Sequence, residues 1–155
     1  MTDTIADRLA AHGITLPDAA APAANYVPTV LHNGLLYISG QLPIIDGAVA
    51  FTGTLGDGVS IEDAQQAAKL CGINILAQAQ TALGDLERID RLLRVGGFVA
   101  ATPVFTEHPA VLNGASDLLA DVLGARGAHT RVAVGVASLP FGASVEVDAL
   151  IAVKN

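Results

Sequence analysis

Arg131-Val-Ala-Val-Gly-Val-Ala-Ser-Leu139-Pro140-Phe-Gly-Ala-Ser-Val145-Glu146-Val-Asp148 is the stretch that decides the fold. Both of its halves alternate at period two, the pattern of strands with unlike faces. In the first half Val132, Val134 and Val136 fall on one side, and Arg131, Ala133 and Gly135 on the other. In the second, Val145, Val147, Ala149, Ile151 and Val153 make an apolar side, so Glu146 and Asp148 point away from it. Closed as an antiparallel hairpin about Pro140, the two strands set Arg131 opposite Asp148 and diagonal to Glu146 on one face. Ala133 and Gly135 leave open space beside the arginine.

That spacing has two readings. One is a cross-strand ion pair on an exposed face, worth only about 0.2–1 kcal/mol. The other is a site in which the planar fork of Arg131 grips a carboxylate and Glu146 handles protons.

Composition narrows the choice. A chain of 155 residues is most simply one domain, long enough to bury a core without disulfides or metals. Half of it is apolar but only 4% aromatic, so the core is built from Ala, Val, Leu and Ile. The net charge of −7, with 15 acidic against 8 basic residues, offers no basic stripe for a phosphate backbone, and nucleic acid is a poor default partner. Cys71 stands alone, which excludes an internal disulfide and fits a reducing compartment. The N-terminus lacks a basic segment followed by an apolar one, and no apolar run approaches the ~18 residues of a membrane span. A cytoplasmic protein is the expectation.

Working outward, residues 3–12 predict a short helix with Thr2 or Asp3 as cap, Ile5 and Leu9 on one face and Gly13 as its stop. It would serve as a lid or an edge cover. Leu16 to Asn25 is rich in Pro and Ala without periodicity and reads as a connection. Val27–His32 and Leu35–Ser39 flank Asn33-Gly34, whose tolerance of positive φ suits a two-residue type I′ turn. Ser60-Ile-Glu-Asp63 has a capping-box pattern and opens a helix running to about Leu83, with Gly84 as its stop. Ile89–Ala101 reads as a strand, with a bulge or a close backbone approach at Gly96-Gly97. Pro109 fits the first turn of a second helix whose Val111, Leu112, Ala115, Leu118, Leu119, Val122 and Leu123 repeat at helical spacing. The order strand, strand, helix, strand, helix, strand, strand gives two long helices to cover one face of a single sheet. Its other face is also apolar or small-sided, which points to self-association.

Among candidate reactive groups, His12, His32, His108 and His129 show no metal-binding spacing. His129 alone draws notice, two residues before Arg131. Cys71 lies on the apolar stripe of the first long helix and reads as a small hydrophobe. Ser39 in Ser39-Gly40-Gln41 lacks the glycine spacing of a nucleophile elbow, and the Gly53–Gly58 stretch carries no phosphate-loop lysine.

Asn25-Tyr26-Val27, Gly34-Leu-Leu-Tyr-Ile-Ser39-Gly40-Gln41-Leu-Pro43 and the Arg131–Glu146 stretch, in that order, resemble the Rid family, also called YjgF or, historically, endoribonuclease L-PSP. The resemblance runs from Tyr26 to the C-terminus and leaves residues 1–25 as an N-terminal extension, as in a longer and less characterised branch. It implies a chorismate-mutase-like α+β fold assembled as a homotrimer, with sites in the clefts between subunits. It also implies hydrolysis of 2-imino acids to 2-oxo acids and ammonia, with neither metal nor cofactor. Matched residue by residue, Arg131 corresponds to the family's carboxylate-binding arginine and Glu146 to the glutamate that positions or activates water. Tyr26, Ser39, Gly40 and Asn113 correspond to the other substrate-binding positions. Two departures touch the pocket wall: His129 replaces the family's usual proline, and Ala133 stands where a cysteine is common. A non-catalytic trimer that binds a small carboxylate is the alternative, and an endoribonuclease a weaker one.

Overall fold

The structure, a computed structural model, describes residues 3–155, so Thr2 lies outside it. The first helix, α1 (Ile5–Ala11), is capped by Thr4, whose side chain accepts from the Asp7 amide while the Asp7 carboxylate accepts from the Thr4 amide. Ile5 and Leu9 are buried in the same core as the rest of the chain. The Ile5 amide donates to Glu87 at 2.7 Å, and Glu87 also pairs with Arg126 at 3.0 Å.

Strands β1 (Thr29–His32) and β2 (Leu35–Gln41) close through Asn33 and Gly34 with φ of 51° and 75°, the doubly positive pair of a type I′ turn. Two short ribbons follow: β3 (Ile44–Ile45) with β4 (Ala48–Val49), and β5 (Thr54–Leu55) with β6 (Gly58–Val59). The first long helix, α2 (Ile61–Leu83), starts on the Ser60 cap and stops at Gly84, which has φ 75°. After β7 (Ile89–Ala100) come α3 (His108–Leu123), β8 (Thr130–Val136) and β9 (Val145–Val153).

One mixed sheet in the order β1-β2-β9-β7-β8 carries the molecule, with β7 and β8 parallel and the other pairs antiparallel. Both long helices pack on one face of it, as the element order implies. No helix among the described residues is long and apolar enough to cross a membrane. The hairpin expected about Pro140 does not form. Instead β8 and β9 lie on either side of β7, and the Pro140–Gly142 corner is a crossover that carries the chain past it.

This changes which faces agree. Residues paired across a sheet share a face, and β7 aligns Val95 with both Arg131 and Ala149, and Phe98 with both Val134 and Glu146. Val95 and Ala149 are buried under the helices, so Arg131 is on the helix side. Glu146 is on the open side with Asp148, Val132 and Val134. The expected single face for Arg131 and Glu146 is therefore corrected: the apolar sides of β8 and β9 are opposite sides of the sheet.

Gly96 and Gly97 are sites of close approach, the second of the two expectations, while the register shifts of β7 fall earlier, between Ile89 and Arg94. A Cβ on Gly97 would collide with the Leu112 side chain of α3, and one on Gly96 with the Asp148 carboxylate. Gly97→Ala should overpack the seam between α3 and the sheet and cost about 1–3 kcal/mol. Chemical denaturation should record it as a lower midpoint with an unchanged slope.

Candidate functional site

Arg131 stands near the start of the edge strand β8, where its side chain turns onto the first turns of α3. One guanidinium nitrogen, Nη1, donates to Asn113 Oδ1 at 2.9 Å and to Ser116 Oγ at 3.2 Å, and Nη2 donates to the Pro109 carbonyl at 3.4 Å. All three acceptors are neutral. Three arginines, Arg8, Arg94 and Arg126, are paired with carboxylates, but Arg131 has no carboxylate partner among the described residues. Its charge is thus oriented by protein dipoles and left unneutralised.

Further along the same strand face, Ala133 and Gly135 present little bulk. A groove of about 600 Å³ opens over Gly135, walled by Thr102, Phe105 and His108. A Cβ on Gly135 would come within 2.6 Å of His108 Nε2, so the glycine makes room for the imidazole. The groove is lined at Gly135 and not at Arg131 or Ala133, and His108 as its wall was not anticipated.

The second cluster is on the other side of the sheet. Tyr26, Ser39, Gly40 and Phe141 line a narrow cleft. Glu146 lies so close to Gly40 that a Cβ there would collide with its carboxylate. The β2–β9 register breaks between Ile38 and Gln41, which frees the Ser39-Gly40 backbone from the ladder. Buried amides then hold it: Gln41 Nε2 donates to the Ser39 carbonyl at 3.1 Å, and Gln78 Nε2 to Gln41 Oε1 at 3.3 Å and to the Ala20 carbonyl at 2.8 Å. Asn74 Nδ2 supports the next residues through the Leu42 carbonyl at 2.9 Å. Polar Asn74 and Gln78, one turn apart beside Cys71 and Ile75 on the buried stripe of α2, were the signal in the sequence for this network.

Phe141 was also missed. It is 70% exposed and held at φ 56°, a left-handed conformation that costs a residue with a Cβ about 1–3 kcal/mol. The strain sits at the corner that carries the chain over β7.

Burial is the main reason the Glu146 carboxyl titrates above its ordinary value of 4.5, and repulsion from Asp148 adds to it. Asp148 is itself bound to Arg94 at 3.2 Å, so Arg94, and not Arg131, answers the expected cross-strand partner. Cys71 is fully buried and donates to the Val145 carbonyl at 3.7 Å; desolvation, then Glu146, raises its pKa well above the thiol norm, leaving no thiolate for chemistry.

Of the residues singled out from sequence, the structure therefore assembles two groups. Arg131, Asn113 and Ala133 sit at the β8–α3 edge, and Tyr26, Ser39, Gly40 and Glu146 on the open side. From strand spacing and rise alone, Arg131 and Glu146 have Cα atoms roughly 14 Å apart, with side chains on opposite faces. They do not meet within one chain.

Comparison with known proteins agrees over nearly the whole length. Residues 6–152 match the family described as "YjgF/chorismate mutase-like, putative endoribonuclease". Protein TCP17 of Trypanosoma cruzi is 49% identical over 152 residues, covering 97% of this chain and 95% of the relative. A crystal structure of an Agrobacterium tumefaciens protein of unknown function superposes with a TM-score of 0.91 at 52% identity, covering 98% of this chain and 94% of that one. The Escherichia coli TdcF structure with bound serine has a TM-score of 0.60 at 23% identity, covering 90% and 93%.

A carboxyl whose folded pKa is raised binds its proton more tightly in the folded than in the unfolded chain. Its ionisation therefore costs stability as pH rises through the folded value, and the penalty is absent below 4.5. Glu146→Gln should raise the melting temperature at pH 7 and leave it nearly unchanged at pH 4, as thermal denaturation at the two pH values will record.

Proposed function

This chain belongs to the YjgF/chorismate-mutase-like family, and on that premise we propose that it is a cofactor-independent imine deaminase, hydrolysing 2-imino acids or enamines to 2-oxo acids and ammonia. The observation that carries the reading is Arg131. Its guanidinium is positioned by three neutral acceptors, lacks a carboxylate partner among the described residues, and keeps N–H donors free for a planar anion. A neighbour crystallised with bound serine, itself an α-carboxylate with nitrogen on the next carbon, supports a ligand of this kind. That structure equally suits a protein that binds such a ligand without turning it over, so turnover decides between the two.

In the proposed reaction Arg131 binds the substrate carboxylate and so fixes the electrophilic imine carbon. Glu146 takes a proton from water as the oxygen bonds to that carbon, giving a carbinolamine. The proton then passes to nitrogen, the C–N bond breaks and ammonia leaves as the C=O forms, with the Glu146 carboxylate taking the hydroxyl proton. A raised pKa suits Glu146 to both directions of transfer. The ribonuclease wording of the family description finds less support, because Arg94 on the open face is already bound to Asp148 and the chain is strongly acidic.

Opposite faces add a condition. A site that uses both residues takes Arg131 with Asn113 from one copy and Glu146 with Tyr26 and Gly40 from another. The open face supplies an interface for this, since Val30, Tyr37, Val132 and Val134 are 39–50% exposed there. A closed ring of three copies repeats one such junction three times.

The test is to generate 2-iminopropionate with an amino-acid oxidase and follow its loss. Wild type should accelerate it, Glu146→Gln should lower kcat by about 10²–10⁴-fold, and Arg131→Lys should raise KM because an ammonium cannot replace the fork. Decay equal to buffer with wild type would end the deaminase reading for that substrate. Mixing inactive Arg131→Ala and Glu146→Ala chains under exchanging conditions should restore about a quarter of the sites. No recovery, with exchange verified by mass, would mean that the two residues do not act across a junction.

A further inference from the structure

His129 lies half-buried just ahead of β8, against the side of α3. Its Nδ1 is 2.6 Å from the Gly127 carbonyl, and its Nε2 is 2.9 Å from Ser116 Oγ, the same oxygen that accepts from Arg131 Nη1 at 3.2 Å. For a neutral imidazole the direction of every bond in this chain follows from its ends. A carbonyl only accepts, so Nδ1 carries the proton and donates to Gly127. A guanidinium only donates, so Ser116 Oγ accepts from Arg131 and turns its own hydrogen to the lone pair of Nε2. The neutral Nδ1–H imidazole satisfies all three contacts at once, whereas the neutral Nε2–H tautomer sets the Nδ1 lone pair against the Gly127 carbonyl.

We infer that His129, acting through Ser116, is the positioning residue for Arg131. The relay pins Ser116 Oγ as an acceptor, and with Asn113 Oδ1 this uses both hydrogens of Nη1. With one Nη2 hydrogen on Pro109, the Nε–H and the remaining Nη2–H are left for a ligand. Because every member is neutral apart from the arginine, the relay fixes the guanidinium without neutralising it. This rests on the reading of Arg131 as the carboxylate clamp, but the relay itself can be tested without it.

Nitrogen-15 spectra of the histidine rings at neutral pH should show His129 as the Nδ1–H tautomer, the reverse of the form that predominates for a free imidazole side chain in water. Ser116→Ala should shift the Nε2 resonance. An Nε2–H tautomer, or an Nε2 indifferent to Ser116→Ala, overturns the relay. Calorimetric titration with pyruvate, the product of 2-iminopropionate hydrolysis, tests its effect on the clamp. His129→Ala and Ser116→Ala should each weaken binding roughly three- to tenfold, the double variant should be no worse than the weaker single one, and Ser116→Thr, which keeps the hydroxyl, should stay near wild type. Wild-type affinity in both alanine variants overturns the positioning role. If wild type binds no pyruvate, it is the carboxylate reading that fails, and the ring spectra still decide the relay.

Discussion

Strand β7 accepts β9 antiparallel on one edge and β8 parallel on the other, and the rest of the molecule follows from that placement. Parallel pairing cannot be made by a tight turn; it needs a crossover, and α3 provides it on the helix-bearing side of the sheet. Once α3 lies there, the β8 residues that share a face with Val95 look at a helix, and Arg131 is one of them. On the far side of β7 the same alternation, counted from the same strand, sends Glu146 to the open face. Neither side chain is free to choose. A one-residue slip of β9 would turn Glu146 to the helix side and at the same time expose Val145, Val147 and Ile151.

The helices contribute more than a cover. α2 carries Asn74 and Gln78 into an otherwise apolar interior, where an unpaired amide would be costly. Asn74 finds the Leu42 and Ile44 carbonyls, and Gln78 the Ala20 carbonyl and the side chain of Gln41, which in turn donates to the Ser39 carbonyl. The ladder is broken just there, so the buried amides replace the bonds that the β2–β9 pair gives up. The Ser39-Gly40 backbone consequently sits at a fixed height against Glu146, close enough that only glycine fits. A rigid helix thus sets the position of a half-buried, irregular strand segment through bonds made in the core.

How much of this was legible in the sequence depends on the range of the interaction. Asn33-Gly34, Ser60 with Asp63, Gly84 and Pro109 mark their elements through local sterics and capping, and each marks the element it promised. The Leu139-Pro140-Phe-Gly142 corner is different, because a Pro/Gly turn is equally suitable for a hairpin and for a crossover. Period two says which residues share a face within one strand, but not which face of the next strand matches it. That parity comes from a common neighbour, here β7, which lies 30 or more residues earlier in the chain. Ser116 and Asn113 were similarly hidden as a pair: on a helix read for its apolar stripe they are merely its polar edge, and only the docking of β8 shows what they hold.

The acceptors around Arg131 make physical sense as a set. A bound carboxylate from the protein would orient the guanidinium equally well, but it would also cancel the field and compete for the same bidentate edge that a ligand carboxylate needs. An amide oxygen, a hydroxyl and a main-chain carbonyl supply orientation through dipoles and leave the formal charge in place. Holding an unpaired cation in this way has an electrostatic cost, which falls when the group stays partly open to water or when an anion arrives. The chain is acidic elsewhere and pairs Arg8, Arg94 and Arg126 with its own carboxylates, so the lack of one at Arg131 among the described residues is not a shortage of acids. Arg131 at the β8–α3 edge thus carries an electrostatic deficit among the described residues, and Glu146 lies on the sheet face that no long helix covers. In the proposed assembly the anionic ligand fills that deficit and the neighbouring copy covers that face, so that binding and association would reinforce each other.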